Sequence, residues 1–281
     1  MTSLRCADVS EAAGETLAAT AVTAHTWLLL EARGTWPRDV SDDGALDAES
    51  QAAVEAWMAS VPAPRLQFVR RPGRGSESRV AFVVRATGGT SEVRRIELDG
   101  AGLAGVDLAA DGDLVRDQLV LVCGHGTRDT CCALRGSAVF AALGASVPPE
   151  QLWLSSHQGG HRFAANVLVL PAGIQLGRVA PADAAWVVGE ALAGRIALDH
   201  YRGRTAYTPR EQAAEWAIRE SEGLVGLNDL GLVDDDGEVV RFVDRNGREH
   251  RAVPGEAAGP IVPASCGAEP APQRHVVARL A

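Results

Sequence analysis

The chain has 281 residues, 46% hydrophobic and 22% charged, an ordinary balance for a globular protein with a sizeable core. Its formal net charge of −9 argues against nucleic acid or an anionic membrane surface as partner, and no apolar run is long enough to span a bilayer. All 27 basic residues are arginine, which excludes a P-loop lysine, a Schiff-base lysine and a lysine general base.

The first residues, Met-Thr-Ser-Leu-Arg-Cys-Ala-Asp, hold no apolar signal core, so a cytoplasmic location is expected. Thr26–Leu30 is a short apolar run, readable as a buried strand or as part of a helix, and Gly34 and Pro37 end it. Leu46–Val61 has the apolar spacing of an amphipathic helix. Leu66–Arg70 reads as a strand, and Arg79–Arg85 with Glu92–Leu98 as a hairpin about Gly88-Gly89. The Gly-, Ala- and Asp-rich stretch Gly100–Gly112 reads as a linker.

The second half repeats this order. Gln118–Val122 is a strand, Ala133–Leu143 a helix, Gln151–Leu154 a strand, and Asn166–Leu170 with Ile174–Val179 a hairpin about Pro171-Ala172-Gly173. Asp183–Ala197 reads as an amphipathic helix with Trp186, Val187, Leu192 and Ile196 near one face. An α/β fold of two related modules follows. The expected domains are residues 1–110 without ligands, 111–205 with them, and an α+β extension over 206–281. In that extension Thr208-Pro209-Arg210-Glu211 is a capping box, opening a helix that Gly223 can end. Asn246-Gly247 marks a hairpin between Glu238–Asp244 and Arg248–Val253, a last strand runs Arg274–Leu280, and Asp234-Asp235-Asp236 reads as a solvated turn.

Two loops carry the chemistry. Cys123 and Cys132 bracket Cys-Gly-His-Gly-Thr-Arg-Asp-Thr-Cys-Cys, and His157 and His161 bracket His-Gln-Gly-Gly-His. Each loop follows a strand, so two thiols and two imidazoles arrive in pairs from two strand ends, which suits one transition-metal site. Gly159-Gly160 opposes a helix there and suits a tight wrap of backbone around an inorganic group. His125 and Cys131 are competing ligands within the first loop, and Arg128-Asp129 reads as a pair shaping it. Cys6 and Cys266 read as buried thiols. Five cysteines, an odd number, argue against a disulfide framework. The ligand types leave zinc and an iron–sulfur cluster both open.

These residues resemble the sucrase/ferredoxin-like family. The match rests on the cysteine loop and on Ser155-Ser-His-Gln-Gly-Gly-His-Arg-Phe163, with weaker matches at Trp27-Leu-Leu-Leu-Glu31, Leu168-Val-Leu-Pro-Ala-Gly173, Tyr201-Arg-Gly-Arg204 and Ser265-Cys-Gly267. The resemblance implies a thioredoxin-like ferredoxin module and a [2Fe-2S] cluster held by Cys123, Cys132, His157 and His161. It implies an electron carrier or redox sensor, with a reductase or an oxidoreductase as partner. Replacing two thiolates by neutral imidazoles makes the oxidised cluster neutral, so an electron is added more easily. The implied potential lies above the about −400 mV of plant-type ferredoxins, toward or within the Rieske range of about −150 to +300 mV. It is expected to fall as pH rises, because reduction makes the outer imidazole nitrogen more basic.

The competing reading is a zinc-stapled structural domain on the same four ligands, colourless and redox-silent. A thiol oxidoreductase lacks Cys-x-x-Cys, no nucleophile elbow is visible for a hydrolase, and no carboxylate pair supports a sucrase.

Overall fold

The computed structural model describes residues 5–41, 44–71, 78–87, 91–98 and 102–281. A short helix, α1 (Cys6–Ala12), precedes β1 (Thr26–Glu31). Every residue of β1 is buried, so the ambiguous apolar run is a central strand. α2 (Ala48–Ser60) crosses to β2 (Pro64–Arg70), which pairs parallel with β1. β3 (Arg79–Ala86) returns antiparallel on the other side of β1, and β4 (Ser91–Leu98) pairs with β3. The turn expected at Gly88-Gly89 lies outside the described residues. β5 (Asp113–Val115), not foreseen, pairs with β4.

The same pairing recurs. β6 (Leu119–Cys123), α3 (Thr130–Leu143) and β7 (Leu152–Ser155) form a second parallel crossover. β8 (Val167–Leu170) runs antiparallel to β6, and β9 (Ile174–Leu176) closes a hairpin with β8. After α4 (Ala184–Leu192), β10 (Tyr201–Arg204) pairs with β9. β2 and β7 join antiparallel, so one ten-stranded sheet runs β10-β9-β8-β6-β7-β2-β1-β3-β4-β5.

Alternation along the strands divides the core. Leu28, Leu30, Phe68, Val120 and Val122 face the helices, meeting Trp57 of α2, Val139 of α3 and Val187 of α4. Trp27, Leu29, Phe82, Leu121 and Trp153 face the other way, where Phe82 and Trp153 meet edge to face at 5.5 Å. The sheet curls around this second cluster. Ser91, at the start of β4, donates to Pro171 O beyond β8 at 3.4 Å. Six strand spacings would hold β4 and β8 roughly 29 Å apart in a flat sheet.

Two expectations are corrected. The stretch read as a linker is packed from residue 102 onward, with Leu103 and Leu108 buried in the core, because its leucines find apolar partners beneath the helices. α4 stops at Leu192, before Gly194 (φ +73°), and Trp186 stands 58% exposed rather than on the buried face.

The C-terminal part forms a separate four-stranded sheet: β11 (Leu230–Asp235), β12 (Val240–Asp244), β13 (Glu249–Pro263) and β14 (Pro270–Leu280), in that order. α5 (Pro209–Glu222) packs on it with the full capping box at Thr208, and Gly223 closes it in the left-handed conformation. Asp234 and Asp235 are strand residues, and the acidic run is paired rather than merely solvated: Asp234 and Asp236 bind Arg241, and Asp235 binds Arg210.

Gly136 sets the seat of α3. A Cβ there would collide with the Cys123 carbonyl, so only glycine lets the helix lie this close to β6. Gly136→Ala is expected to cost ~1–3 kcal/mol, seen as a lower urea midpoint at unchanged slope.

Candidate metal centre

β6 and β7 are parallel neighbours with Cys123 opposite Ser155, so their loops leave the same edge of the sheet. Cys123 ends β6 with its N–H bonded to Asn166 O at 3.0 Å, and Gly124 N–H bonds Ser155 O at 3.0 Å. α3 begins at Thr130, three residues before the helix expected from Ala133. The missed signal was Asp129, an N-cap whose carboxylate accepts from Cys131 N–H at 2.8 Å. Cys132 therefore sits in the first helical turn, fully buried beside fully buried Cys123. The Cys132 thiol donates to the Cys123 sulfur, which pulls the Cys123 thiol well below its ordinary pKa and pushes that of Cys132 well above it. The Gln158 N–H also points at the Cys123 sulfur.

The second loop turns through Gly159 (φ +91°) and Gly160 (φ +71°) into a single 3-10 turn at His161–Phe163. The two imidazoles stack with centroids 3.9 Å apart and planes 13° from parallel. Cys132 Sγ lies 4.0 Å from His157 Nδ1 and 3.9 Å from His161 Nδ1. Burial, with His157 beside it, holds the His161 pKa down to about 4, so its ring is neutral and able to ligate at pH 7. All four residues singled out in the sequence thus converge. The thiols are at the bottom and both half-buried rings reach the surface.

Sequence reading missed what holds the second loop. Its four consecutive carbonyls each accept from a polar side chain. Gln67 Nε2 donates to His157 O at 3.1 Å, and Gln175 Nε2 to Gln158 O at 3.0 Å. Arg202 Nη1 donates to Gly159 O at 3.0 Å, and Asn166 Nδ2 to Gly160 O at 2.9 Å. Gln67, Gln175, Arg202 and Asn166 are all buried, and burial brings the Arg202 pKa down to about 9. Gln67, Gln175 and Arg202 sit on three different strands and Asn166 immediately before a fourth, with no spacing in the sequence to tie them together.

His125 is not a competing ligand. Its Nε2 donates to Pro37 O at 2.8 Å and its Nδ1 accepts from His157 N–H at 3.1 Å, so both ring nitrogens are committed. Arg128 pairs with Asp39 rather than Asp129, whose carboxylate turns inward to backbone N–H groups. Cys131 points away from Cys132 toward Cys6 and Cys266. A cleft of about 270 Å³ opens beside His157, lined by Arg38, Arg65, Gln67, His125 and Arg128 among others.

The donor set fits a transition metal: two thiols, one already disposed to ionise, and two imidazoles whose Nδ1 atoms face the sulfur. Cys123, Cys132 and His157 bring ligand atoms within 4.8 Å of one another, as do Asp129, Cys132 and His161.

A sequence model of the family described as Sucrase/ferredoxin-like matches residues 17–203, which takes in nearly all of the ten-stranded sheet. The chain belongs to the sucrase/ferredoxin-like family. Curated relatives are proteins named "Altered inheritance of mitochondria protein 32". That of Meyerozyma guilliermondii is 33% identical over 99 residues, covering 32% of this chain and 35% of its own length. That of Eremothecium gossypii is 28% identical over 151 residues, 48% of each chain. That of Debaryomyces hansenii is 35% identical over 101 residues, 32% of this chain and 37% of its own. The chain thus spans between a third and a half of these relatives. No solved structure matches it. Among the described residues no helix is long and apolar enough to cross a membrane.

Since His125 holds the backbone of His157, His125→Ala is expected to weaken metal binding at this centre by about 10–100-fold. Arg128→Ala, which removes a guanidinium bonded to Asp39 and the Arg38 carbonyl, should leave it nearly unchanged. Competition against a chromophoric chelator measures both.

Proposed function

We propose that Cys123, Cys132, His157 and His161 hold a [2Fe-2S] cluster and that the chain is an electron carrier or redox sensor. The observation that carries this reading is the convergence of two buried thiols and two half-buried imidazoles at one edge of a parallel strand pair. Residues 111–205 are then a thioredoxin-like ferredoxin module and residues 1–110 a related module that has no ligands, since both show the strand–helix–parallel strand–hairpin order. Residues 206–281 are the appended extension.

When bound, the cluster supplies a one-electron couple. The protein does the rest. Buried Cys123 and Cys132 supply the anionic ligands, and the Gln158 N–H and the nearby Arg65 and Arg202 guanidinium groups offset that charge. His157 and His161 stand between the thiols and solvent, so the short route to a partner runs through the imidazoles. The cleft beside His157 carries Arg38, Arg65 and Arg128, which suits an acidic face on a reductase or oxidoreductase. A cytoplasmic setting belongs to the same proposal.

One observation favours a second reading, a zinc-stapled domain on the same ligands. A tetrahedral zinc sets sulfur and nitrogen ligands about 3.6 Å apart. The observed 3.9 and 4.0 Å are near that, whereas two irons would separate the pairs further.

Metal analysis with spectroscopy decides between them. Protein purified without oxygen should be red-brown, bleach with dithionite and hold iron and sulfide in equal amounts. A colourless protein with zinc on these four residues would overturn the cluster. If the cluster is present, His161→Cys adds a negative ligand. The reduction potential should fall and its dependence on pH should weaken, as measured by spectroelectrochemical titration at several pH values.

A further inference from the structure

Three of the five cysteines remain outside that centre, and the fold gathers them. Cys6 opens α1, Cys131 lies in the first turn of α3, and Cys266 follows β13. Their sulfurs form a triangle with sides of 3.7 Å (Cys6–Cys131), 3.3 Å (Cys131–Cys266) and 3.7 Å (Cys6–Cys266). Asp129 lies against it, with carboxylate oxygens 3.8 and 3.9 Å from the Cys6 sulfur. Ligand atoms of all four residues fall within 4.8 Å of one another, and only Cys266 is partly exposed.

The dimensions argue for a single ion. A tetrahedral zinc with three thiolates sets its sulfurs about 3.8 Å apart, close to this triangle. The surroundings are those of a prepared site. Backbone N–H groups of Ala7 and Cys6 point at the Cys131 and Cys266 sulfurs. N–H groups of Cys131 and Cys266, each at 2.8 Å, fix the Asp129 carboxylate. Three sulfurs and a carboxylate make an oxygen-and-thiolate cage that a thiophilic divalent ion would complete.

We propose that Cys6, Cys131, Cys266 and Asp129 form a second metal site, binding one zinc-class ion that staples α1 and the loop after β13 to α3. The site is independent of what the Cys123–His161 centre holds. Its role is structural, because it ties together segments 260 residues apart in sequence. Asp129 also stands within reach of Cys132 and His161, so the two centres are neighbours.

The test uses cobalt(II) as a visible stand-in for zinc, with zinc counted in parallel. A full-length Cys123→Ser/His157→Ala variant, which disables the other centre, is reduced, stripped and titrated with cobalt. One equivalent should give a thiolate-to-cobalt charge-transfer band and the intense visible bands of a tetrahedral site. Adding Cys266→Ser should remove at least tenfold of the affinity. Cys266→Ser alone should leave the metal and colour of the first centre intact, which also shows that the chain has folded. Zinc binding should protect the N-terminal residues from limited proteolysis, and a chelator should reverse this. Absence of cobalt bands in the double variant, despite far-UV circular dichroism like that of the parent, would overturn the site. So would a Cys131–Cys266 disulfide in reductant-free intact-mass and peptide analysis, together with failure of the reduced protein to bind metal.

Discussion

The parallel pairing of β6 with β7 is the constraint on which the candidate centre depends. Parallel strands joined by a helix end on the same side, so a loop after each must meet the other. α3 makes the crossover, and Gly136 lets it lie against β6 closely enough that its first turn reaches back to Cys123. Neither the cysteine pair nor the histidine pair needs its own scaffold. The edge of one crossover delivers both.

The other half of the sheet makes the same crossover with β1 and β2 but uses it as support. β2 runs past the end of β7 in the opposite sense and lays Gln67 and Arg65 beside the His157 carbonyl. The segment after β1 brings Pro37 to His125 and the Trp36 carbonyl to Thr127. The β1–β2 half of the sheet therefore builds one wall of the site. A histidine loop with two glycines has little stiffness of its own and takes it from the neighbouring strands.

Much of this was legible in the sequence, for reasons of range. Periodicity, turn residues and caps are local. The β1 run, the Pro171–Gly173 hairpin and the Thr208 capping box follow from neighbours a few residues apart. The four converging residues were legible because each pair is close in sequence and each follows a strand. Cys6 and Cys266 were not, since their meeting depends on where α1 and the long β13 pack. The carbonyl clamps of Gln67, Asn166, Gln175 and Arg202 were hidden for the same reason. A buried glutamine looks like any other until the strands are in place. Asp129 was missed differently. Its cap signal is local, but the helix it opens begins inside the cysteine loop, three residues before Ala133.

The two cysteine sets differ in when a ribosome can finish them. Residues 123 to 161 emerge together, so the first centre can be assembled while the C-terminal sheet is still being made. The triangle of Cys6, Cys131 and Cys266 closes only once the loop after β13 has been translated. Until then Cys6 and Cys131 face each other without their third neighbour. Closing the triangle waits for the loop after β13, whereas the first centre does not.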